Sequence, residues 1–393
     1  MHHPASTAEH LSRNAVDCLP AGALEKRLAQ AHSEGRPLRV KLGMDPTAAD
    51  VHLGHTVVLQ KLREFQDAGH TVVLIIGDYT ARVGDPSGRS ALRLLLSGEE
   101  IDAHAQTYVE QAAKVLRTDE TLEVRHNSEW LDMPMEDLFR LVRNVTVARL
   151  LERDDFSKRY AAHEPISLLE MLYPIMQGYD SVAVRSDVEL GGTDQKFNLL
   201  MGRDIQTAYG QPEQVVMTVP ILAGTDGVRK MSKSYGNHIG VTDTPEEIYG
   251  KTLRIPDEAL ASWHDLLLGC ALPAGVGPRD AKRALARALV ERFWDAGAAT
   301  AAEAAFDRLF ISREIPEDVP DAVFTASNGS AHMPEVIAGV FGLSRSEARR
   351  MLGQGAVKLD GLPLAELDVA VERLEGAVLQ VGKRRFARLK SGV

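Results

Sequence analysis

Two histidines in the N-terminal part of the chain could bind phosphate. His52 and His55 lie three residues apart in the run from Gly43 to His55, so their side chains share a face if a helix begins there. Gly54 lies between them and would let a planar or anionic ligand approach the backbone. The first amides of a helix, at the positive end of its dipole, also favour phosphate. A zinc site is the alternative, but no third ligand follows at metal-site spacing.

A lysine-containing segment supplies a second candidate for phosphate binding. Lys230 and Lys233 lie three residues apart in the polar, glycine-flanked run Lys-Met-Ser-Lys-Ser that ends at Ser234. Two such ammonium groups can bind the oxygens of a triphosphate as charge moves between them. Taken alone, the run is more typical of an exposed basic loop than of a phosphate site, and a lone His-x-x-His pair is also common. The combination of the two motifs is more specific than either.

A third group of residues could recognise a small polar molecule. Tyr173, Gln177 and Asp180 stand at i, i+4 and i+7, a spacing that places them on one face of a helix. Two hydrogen-bonding side chains and a carboxylate can therefore converge on one ligand. Core packing would also explain Tyr173, but not Asp180, because an unpaired carboxylate on a buried face is unfavourable.

The first predicted elements form a scaffold suited to these residues. The alternation from Leu38 to Met44 predicts a strand, the apolar spacing from Gly54 to Gly69 predicts a helix, and Thr71 to Ile76 reads as a fully buried strand. Strand, helix and strand form a βαβ unit, which implies a parallel sheet with a right-handed crossover. Ligands of such open sheets bind beyond the carboxyl ends of the strands, where the two histidines lie.

The rest of the chain divides by pattern. Residues 100–176 are predicted to be mainly helical, and strands are predicted at Val182–Val188 and Val215–Leu222 around a helix at Gln195–Tyr209. A helix start at Thr244-Pro245 opens a helical region. The predicted fold class is α/β with three parts: a Rossmann-like parallel-sheet catalytic domain at 1–225, an α-helical domain at 226–325, and an α+β module at 332–393, after a linker-like stretch at 326–331.

The composition sets further limits. A chain of 393 residues is long enough for two or three domains, and 44% hydrophobic with 25% charged residues is typical of globular proteins, not of disordered or collagen-like chains. The longest aliphatic stretch, Val72–Ile76, is far shorter than the ~20 residues that cross a bilayer, so we expect a cytoplasmic protein without a membrane partner. With only Cys18 and Cys270, neither a disulfide framework nor a four-thiolate zinc site is available.

The C-terminal module has a charge of its own. Residues 341–393 contain ten lysines and arginines against six acidic residues, a net charge of +4, although the whole chain carries −10. Ser344 and Glu347 form a capping-box pattern that opens a basic helix, and Asp360-Gly361 predicts a hairpin turn. A small basic unit of helix and hairpin indicates RNA binding.

Taken in order, the motifs resemble those of a known family. His52-Leu-Gly-His55 after the first strand and Lys230-Met-Ser-Lys-Ser234 after the last resemble the two signatures of class I aminoacyl-tRNA synthetases. Three more segments narrow the resemblance to bacterial tyrosyl-tRNA synthetases, namely Gly84–Arg89, Tyr173–Asp180 and Gly191–Gln195. The C-terminal module resembles an RNA-binding fold shared with a small-subunit ribosomal protein. The resemblance therefore spans nearly the entire chain.

The resemblance implies a reaction and its participants. L-tyrosine would be activated with ATP to tyrosyl-adenylate and pyrophosphate, and then transferred to the 3′ end of tRNA(Tyr). ATP would bring Mg²⁺ as part of the substrate, without a resident metal or prosthetic group, and the segment from Gly227 to Gly236 would close over ATP. A homodimer is implied, with Leu131–Leu151 as its interface, although an intramolecular core explains that apolar face equally well. The alternatives are a tryptophanyl-tRNA synthetase and a catalytically inactive RNA-binding paralogue.

The resemblance also implies roles for individual residues. Those acting on the phosphates in catalysis would be Thr47, His52, His55, Lys230 and Lys233. Those binding ATP otherwise would be Asp45, Gly54, Arg89, Arg93, Gly192, Asp194 and Ser234. Those binding tyrosine would be Asp85, Tyr173, Gln177, Asp180 and Gln195. Those binding tRNA would be Arg345, Arg349, Arg350, Lys383, Arg384 and Arg385.

Within the tyrosine site, the resemblance assigns the phenolic hydroxyl to Asp180. Two positions depart from the pattern. Lys41 stands where many members have a tyrosine that donates a second hydrogen bond to the phenol, and Glu189 stands where a glutamine is frequent. A cation near the phenol could still bond its oxygen. The departures indicate a subgroup of the family and not a loss of function.

Overall fold

The computed structural model describes residues 4–46, 50–86, 97–312, 319–327, 329–382 and 385–392. The chain divides into two compact units, Met1–Phe293 and Trp294–Val393. This division does not coincide with the boundaries near 225 and 325 drawn from the sequence. The three-domain organisation stays a proposal about how the chain is built.

A six-stranded sheet forms the centre of the first unit. Its strands are β1 (Asp17–Leu19), β2 (Arg39–Met44), β3 (Thr71–Ile76), β4 (Leu122–His126), β5 (Val188–Gly192) and β6 (Val215–Val219). They lie in the order β1-β6-β5-β2-β3-β4, and all neighbours are parallel except β1, which is antiparallel to β6. The aliphatic residues of β3 and β6 are buried, as expected of strands covered on both faces. The predicted Rossmann-like α/β fold is confirmed.

The strand order reverses between β2 and β5. From β2 the chain continues outward through β3 and β4, whereas β5 and β6 extend the sheet in the opposite direction. Such a reversal leaves a crevice at the carboxyl ends of the two central strands. Asp45 directly follows β2, and Thr193 and Asp194 directly follow β5. The topology thus gathers the predicted site residues at one edge.

Helices surround the sheet. In the first unit they are α1 (Pro4–Ser12), α2 (Ala23–Glu34), α3 (Leu53–Asp67), α4 (Gly98–Ala112), α5 (Ser128–Leu131), α6 (Met135–Val142), α7 (Val147–Leu150), α8 (Asp154–Ala161), α9 (Leu168–Ala183), α10 (Lys196–Ala208), α11 (Pro245–Thr252), α12 (Leu260–Trp263) and α13 (Pro278–Phe293). Thr244 caps α11, as the sequence predicts, by accepting a hydrogen bond from the amide of Glu247. No helix in the described part of the chain has the length and apolar character required to span a membrane.

Several sequence predictions of elements were wrong. The predicted strand Val182–Val188 is the end of α9 followed by a turn, and β5 begins only at Val188. Val182 and Val184 are both buried at the end of the helix. Because they are two residues apart, they give the alternating apolar pattern that is typical of a strand. The predicted strand Val215–Leu222 ends early, at Val219, since Pro220 has no amide to donate. Two short strands, β1 and β4, were missed.

The second unit contains the C-terminal module. After α14 (Ala296–Asp307), its elements are β7 (Asp321–Phe324), β8 (Ser330–His332), α15 (Met333–Phe341), α16 (Arg345–Gly353), β9 (Val357–Leu359), β10 (Leu362–Pro363), β11 (Asp368–Ala370), α17 (Val371–Leu374), β12 (Val378–Val381) and β13 (Arg385–Ser391). One sheet has the order β10-β9-β12-β13-β7, and β11 pairs with β8. Because β7 pairs with β13, the module's sheet includes residues before 332.

Two local predictions in this module are confirmed. Ser344 caps α16 by accepting a hydrogen bond from the amide of Glu347 at 3.2 Å. Asp360 and Gly361 connect β9 and β10 with positive φ angles of 46° and 82°, as a tight hairpin turn requires.

Candidate active site

A cavity of about 590 Å³ opens at the carboxyl ends of the central strands. The predicted residues that line it are Asp45, His52, Gly54, His55, Asp85, Tyr173, Gln177, Asp180, Gly192, Asp194, Gln195, Lys230, Lys233 and Ser234. Both phosphate motifs and the helix face of the third group therefore meet at one cavity. Three predicted residues lie outside the described part of the chain, namely Thr47, Arg89 and Arg93.

Asp180 lies on α9, where its side chain is almost completely buried. The residue is 3% exposed, and its Oδ1 accepts a hydrogen bond from the indole Nε1 of Trp130 at 2.8 Å. Burial raises the pKa of Asp180 to about 7, although Lys41 and the hydrogen bonds from Trp130 and Asn127 oppose the rise. Both the protonated and the ionised form of this carboxyl group are therefore populated near neutral pH.

A chain of hydrogen bonds holds Tyr173 beside Asp180. The Tyr173 hydroxyl donates to Oδ2 of Asp45 at 2.8 Å, and the Thr80 hydroxyl donates to Oδ1 of the same carboxylate at 2.7 Å. Asn127 in turn donates to Thr80 at 2.9 Å. Gly77 leaves the necessary room, since a Cβ there would lie 2.0 Å from Asp45 Oδ1. Asp45, which is predicted to bind ATP, therefore accepts a hydrogen bond from Tyr173, which is predicted to bind tyrosine.

Amide side chains form a second hydrogen-bond network at the cavity. Gln195 donates to Oδ2 of Asp85 at 2.7 Å, and Asn198 donates to Oε1 of Gln177 at 2.9 Å and to Oε1 of Gln195 at 3.0 Å. The buried guanidinium of Arg153 donates to Asn198 at 2.9 Å and to Asp85 at 3.2 Å. This network fixes Asp85 and Gln177 before any ligand enters, as preorganised recognition requires.

The two histidines open α3 with their rings stacked. The ring centroids of His52 and His55 are 3.8 Å apart, and Nδ1 of His55 accepts the backbone N–H of His52 at 3.2 Å. Burial, followed by the charge of Lys230, lowers the pKa of His55 to about 4, so its ring is neutral near pH 7 and carries its proton on Nε2. Burial and the neighbouring His55 and His238 lower the pKa of His52 to about 2. Neutral imidazoles can still donate N–H groups to phosphate.

The structure gives a reason for glycine at position 54 that differs from the one predicted from the sequence. A Cβ at this position would lie 3.0 Å from two atoms of the His52 ring and 3.5 Å from Cβ of Met231. The missing side chain therefore makes room for the His52 ring and for the lysine segment. Gly54 also lines the cavity, so an approach by ligand is compatible with this arrangement.

The lysines of the segment from Lys230 to Ser234 form ion pairs with carboxylates. Lys230 Nζ lies 3.2 Å from Oδ2 of Asp194, and Lys233 forms an ion pair with Asp50. Between them Met231 is buried, and its amide donates to the carbonyl of Leu222 at 2.9 Å. A phosphate group that binds these lysines competes with the two carboxylates for the ammonium N–H groups.

The side chain of Asn237 holds the turn that carries the lysines. It accepts the amide of Ser232 at 2.9 Å and donates to Asp226 at 3.0 Å and to the carbonyl of Lys230 at 3.1 Å. In the described residues, no group of three or more His, Cys, Asp or Glu side chains is arranged to hold a metal ion.

Comparisons with known proteins agree with this geometry. The family model described as tRNA synthetases class I (W and Y) matches residues 33–311. The tyrosine–tRNA ligase of Moorella thermoacetica is 49% identical over 393 residues, which cover 96% of this chain and 94% of that protein. The chain belongs to the tyrosine–tRNA ligase family. The tyrosine–tRNA ligase of Coxiella burnetii is 46% identical, with 97% of this chain and 98% of that protein covered.

Solved structures of the family share the fold. The tyrosyl-tRNA synthetase of Archaeoglobus fulgidus, complexed with L-tyrosine, has a TM-score of 0.60 at 24% identity and covers 75% of this chain and 99% of its own. That of Aeropyrum pernix has a TM-score of 0.61 at 20% identity and covers 78% of this chain and 98% of its own. Both comparisons concern the architecture.

In this chain, Lys41 and Glu189 form a buried ion pair. Lys41 Nζ lies 2.8 Å from Oε1 of Glu189, and the side chains are 0% and 1% exposed. The ammonium also donates to the carbonyl of Gln177 at 3.0 Å and to the hydroxyl of Ser181 at 2.8 Å. Neither Lys41 nor Glu189 lines the cavity. The sequence suggested that this cation could bond the phenol, whereas its contacts lie behind α9.

The predicted tRNA-binding arginines lie on the surface of the second unit. Arg345, Arg349 and Arg350 are exposed on α16, and Arg385 is exposed at the start of β13. Arg345 pairs with Glu335 at 3.0 Å. Two further predicted residues, Lys383 and Arg384, lie outside the described part of the chain.

Sequence reasoning missed several residues that support the site. They are Asp50, Thr80, Asn127, Trp130, Arg153 and Asn198. Asn127 directly follows β4, so recognition of that strand would have placed it at the carboxyl edge of the sheet. Trp130 and Arg153 lie in or next to short helical segments. No local sequence pattern predicts that these segments lie beside the cavity.

Proposed function

We infer that the protein catalyses the ATP-dependent attachment of tyrosine to tRNA. In the first step a carboxylate oxygen of tyrosine attacks the α-phosphorus of ATP, the bond to the bridging oxygen breaks, and pyrophosphate leaves. In the second, a hydroxyl of the terminal adenosine of tRNA attacks the tyrosyl carbonyl and AMP leaves. The observation that carries this function is a single cavity lined by both class I signatures and by Asp180, in a chain 49% identical to a tyrosine–tRNA ligase.

The proposed tyrosine site lies along α9. Asp180 accepts the phenolic hydroxyl, and Asp85, Tyr173 and Gln177 surround the ammonium group. The hydrogen bonds of Gln195 and Arg153 to Asp85 support this proposal, because they fix a negative charge in the cavity wall. The burial of Asp180 also supports it, since a buried carboxyl group gains most from a ligand that donates to it.

The proposed ATP site lies between α3 and the lysine segment. His52, His55, Lys230 and Lys233 bind the phosphates most strongly as charge moves onto pyrophosphate, so catalysis relies on position and electrostatics and not on a nucleophilic side chain. Asp194, released by Lys230, binds the ribose. Mg²⁺ arrives bound to ATP. Further roles on the phosphates are proposed for Thr47, Arg89, Arg93 and Ser234.

Pyrophosphate exchange with each of the twenty amino acids tests this function. We expect exchange of label between pyrophosphate and ATP with tyrosine and a far lower rate with tryptophan. Exchange driven by tryptophan would instead support the tryptophan branch of the family. A protein that binds tRNA but gives no exchange with any amino acid would be the inactive paralogue.

We also propose that the protein is a homodimer through the surface of α6 to α9. Large apolar side chains are exposed there, namely Met135, Phe139, Val147, Tyr160 and Leu168. Exposed large apolar side chains on several consecutive helices favour a protein–protein interface. The buried residues beneath it, among them Leu141 and Leu150, belong to the core of the first unit.

Transfer requires tRNA(Tyr), and we assign part of its binding to the basic C-terminal module. The exposed arginines of α16 and Arg385 support this assignment, because arginine binds phosphate oxygens through several N–H groups. Both ATP and tRNA are cytoplasmic substrates, and we place the protein in that compartment.

A further inference from the structure

A charged pair lies buried directly behind the tyrosine-binding helix. Lys41 on β2 and Glu189 on β5 are register partners of adjacent parallel strands, at the point where the strand order reverses. Their charged atoms are 2.8 Å apart, with side chains 0% and 1% exposed. Burying two charges is unfavourable compared with an apolar pair of similar size, so the pair calls for an explanation other than stability.

The pair is joined to α9 at two points. Lys41 donates to the carbonyl of Gln177 at 3.0 Å and to the hydroxyl of Ser181 at 2.8 Å. That hydroxyl donates to Oε2 of Glu189 at 3.0 Å, and Gln214 donates to the same oxygen. Gln177 and Ser181 lie one turn apart and bracket Asp180 in the sequence. The network therefore fixes the stretch of helix that presents Asp180 to the cavity.

The neighbouring helix is shaped to accommodate this network. A Cβ at Gly202 on α10 would lie 2.5 Å from Nε2 of Gln214, 2.9 Å from Oγ of Ser181 and 3.1 Å from Oε2 of Glu189. Only glycine leaves this space without displacing the polar atoms. The two strands and two helices thus converge on one polar cluster.

The cluster also acts on Asp180 through its charges. The positive charge of Lys41 lowers the pKa of Asp180 and the negative charge of Glu189 raises it, with the lysine effect the larger. The polar and charged groups that face Asp180, directly or through Tyr173, are Lys41, Glu189, Trp130, Asn127, Tyr173, Asp45 and Asp85. Among these, Lys41 supplies the positive charge that favours the carboxylate.

We propose that Lys41 and Glu189 are positioning residues for tyrosine recognition: the pair anchors the Gln177–Ser181 turn of α9 and keeps Asp180 able to accept the phenolic hydroxyl. The proposal rests on the role assigned to Asp180 above. It explains why both departures from the frequent family residues occur together, since each charge requires the other in a buried position.

Removing one charge should shift the pH dependence of tyrosine binding in a direction set by the charge that is lost. KM for tyrosine is expected to fall as Asp180 ionises. Lys41→Met removes the positive charge that lowers the pKa of Asp180, so this fall in KM moves to higher pH. Glu189→Gln removes the negative charge that raises this pKa, so the fall moves to lower pH. A purely structural role would not give opposite shifts.

The experiment measures tyrosine-dependent pyrophosphate exchange between pH 5.5 and 9 for the full-length wild type, the two single variants and the double variant. We expect Lys41→Met to raise KM for tyrosine at pH 7 about tenfold or more and to shift the midpoint upward by about one pH unit. Glu189→Gln should shift it downward, and the double variant should lie between the single variants. KM for ATP should change less than about twofold, the range expected for a site the pair does not touch.

Shifts of the single variants in the same direction, no shift, or equal changes in the KM values of tyrosine and ATP would overturn the proposal. Thermal unfolding of each variant checks folding. If Lys41→Met does not fold, Glu189→Gln and the double variant still decide between the outcomes by the sign of their shifts. An Asp180→Asn variant with unchanged KM for tyrosine would instead refute the role of Asp180 itself.

Discussion

Asp180 is a carboxyl group in a place where burial opposes its ionisation. Its pKa is raised to about 7, mainly by loss of water, while the indole of Trp130 donates to one oxygen. In the proposed tyrosine site, a phenol would donate a further hydrogen bond to this carboxylate. Burial of the charged form is unfavourable for the folded protein, and such a hydrogen bond would offset part of that cost.

Replacing Asp180 by asparagine should stabilise the free protein at high pH while it abolishes tyrosine activation. In the folded state the pKa is above the unfolded value of 3.8, so the wild type loses stability as pH rises from about 4 through 7. Asparagine has no such ionisation. The difference in unfolding free energy between variant and wild type should grow by about 2 to 4 kcal/mol between pH 4 and pH 8.

Urea unfolding at the two pH values measures this difference, and pyrophosphate exchange measures the activity. Other titrating groups are common to both proteins and cancel in the comparison. A difference in stability that is the same at pH 4 and pH 8 would contradict the raised pKa of Asp180.

At the scale of elements, two ion pairs hold the lysine segment, and in the proposed ATP site a triphosphate competes with them. Lys230 contacts Asp194 and Lys233 contacts Asp50, and all four side chains are partly exposed. Exposed pairs of this kind contribute about 1 kcal/mol or less each, so a triphosphate can replace them readily. The segment is thereby ordered without being locked.

Asp50→Asn should lower KM for ATP, because Lys233 would no longer exchange a carboxylate for phosphate. The expected effect is about two- to fivefold at low salt, and smaller at high salt. The matched control is Asp154→Asn, which removes another exposed ion pair, with Lys158 at 2.5 Å. A rise in KM for ATP in the Asp50 variant alone would show that Asp50 contributes to ATP binding itself.

The close packing of α10 against α9 can be tested by substituting a glycine of α10 and a control glycine in another helix. Gly202→Ala should lower the unfolding free energy by about 1 to 3 kcal/mol, since the new Cβ would lie 2.5 Å from Nε2 of Gln214. Gly250 in α11 is the control, because a Cβ there meets no atom within 4 Å. Gly250→Ala should raise stability by up to about 1 kcal/mol. Equal effects of both substitutions in denaturant unfolding would refute the tight crossing.

The elements show what the sequence could and could not predict. β2, α3 and β3 have uninterrupted periodic patterns, so the βαβ unit and the position of His52 and His55 follow from the chain alone. The positions of β4 and of the turn before β5 do not follow from the sequence. β4 is short, and the apolar residues at the end of α9 have the alternating pattern of a strand. The same holds at the cavity: residues within motifs were predicted, whereas Trp130 and Arg153, which donate hydrogen bonds to the lining residues Asp180 and Asp85, are brought there by tertiary packing.

The buried pair of Lys41 and Glu189 marks a further limit of sequence reasoning. Both residues depart from the family pattern, and the cation at Lys41 predicts a contact with the phenol. Their pairing follows from the register of β2 and β5, which the sequence did not specify. Their direction, away from the cavity and towards α9, follows from the packing of that helix.

At the scale of the whole molecule, the exposed apolar surface of α6 to α9 predicts the oligomeric state. Phe139 is 62% exposed, so Phe139→Glu should leave the fold of the subunit intact but raise the dimer dissociation constant by about 100-fold or more. Sedimentation velocity at several concentrations measures it. Val276→Glu, at an exposed valine in the segment before α13, is the control and should remain a dimer. A dimer undisturbed by Phe139→Glu would place the interface elsewhere.

The proposed roles assign the two steps of the reaction to different groups of charges. Adenylate formation is assigned to the cavity of the first unit. Binding of tRNA is assigned to the basic C-terminal module, where residues 341–393 have a net charge of +4 and Arg349 and Arg350 are exposed. Charge of this sign and exposure favours tRNA phosphates over small substrates. Substitutions on α16 should therefore separate the two steps.

The double variant Arg349→Ala/Arg350→Ala should leave pyrophosphate exchange unchanged and lower kcat/KM for tRNA charging by about 10- to 100-fold at low salt. Because two phosphate contacts are lost, the slope of log(kcat/KM) against log salt should become shallower by about 1.5. Arg373→Ala removes an exposed arginine that pairs with Glu366 at 2.7 Å in the same module, and it should behave like the wild type. If exchange and charging fall together, α16 stabilises the enzyme instead of binding tRNA. If charging falls without a change in the salt slope, its arginines contact the tRNA through groups other than phosphate.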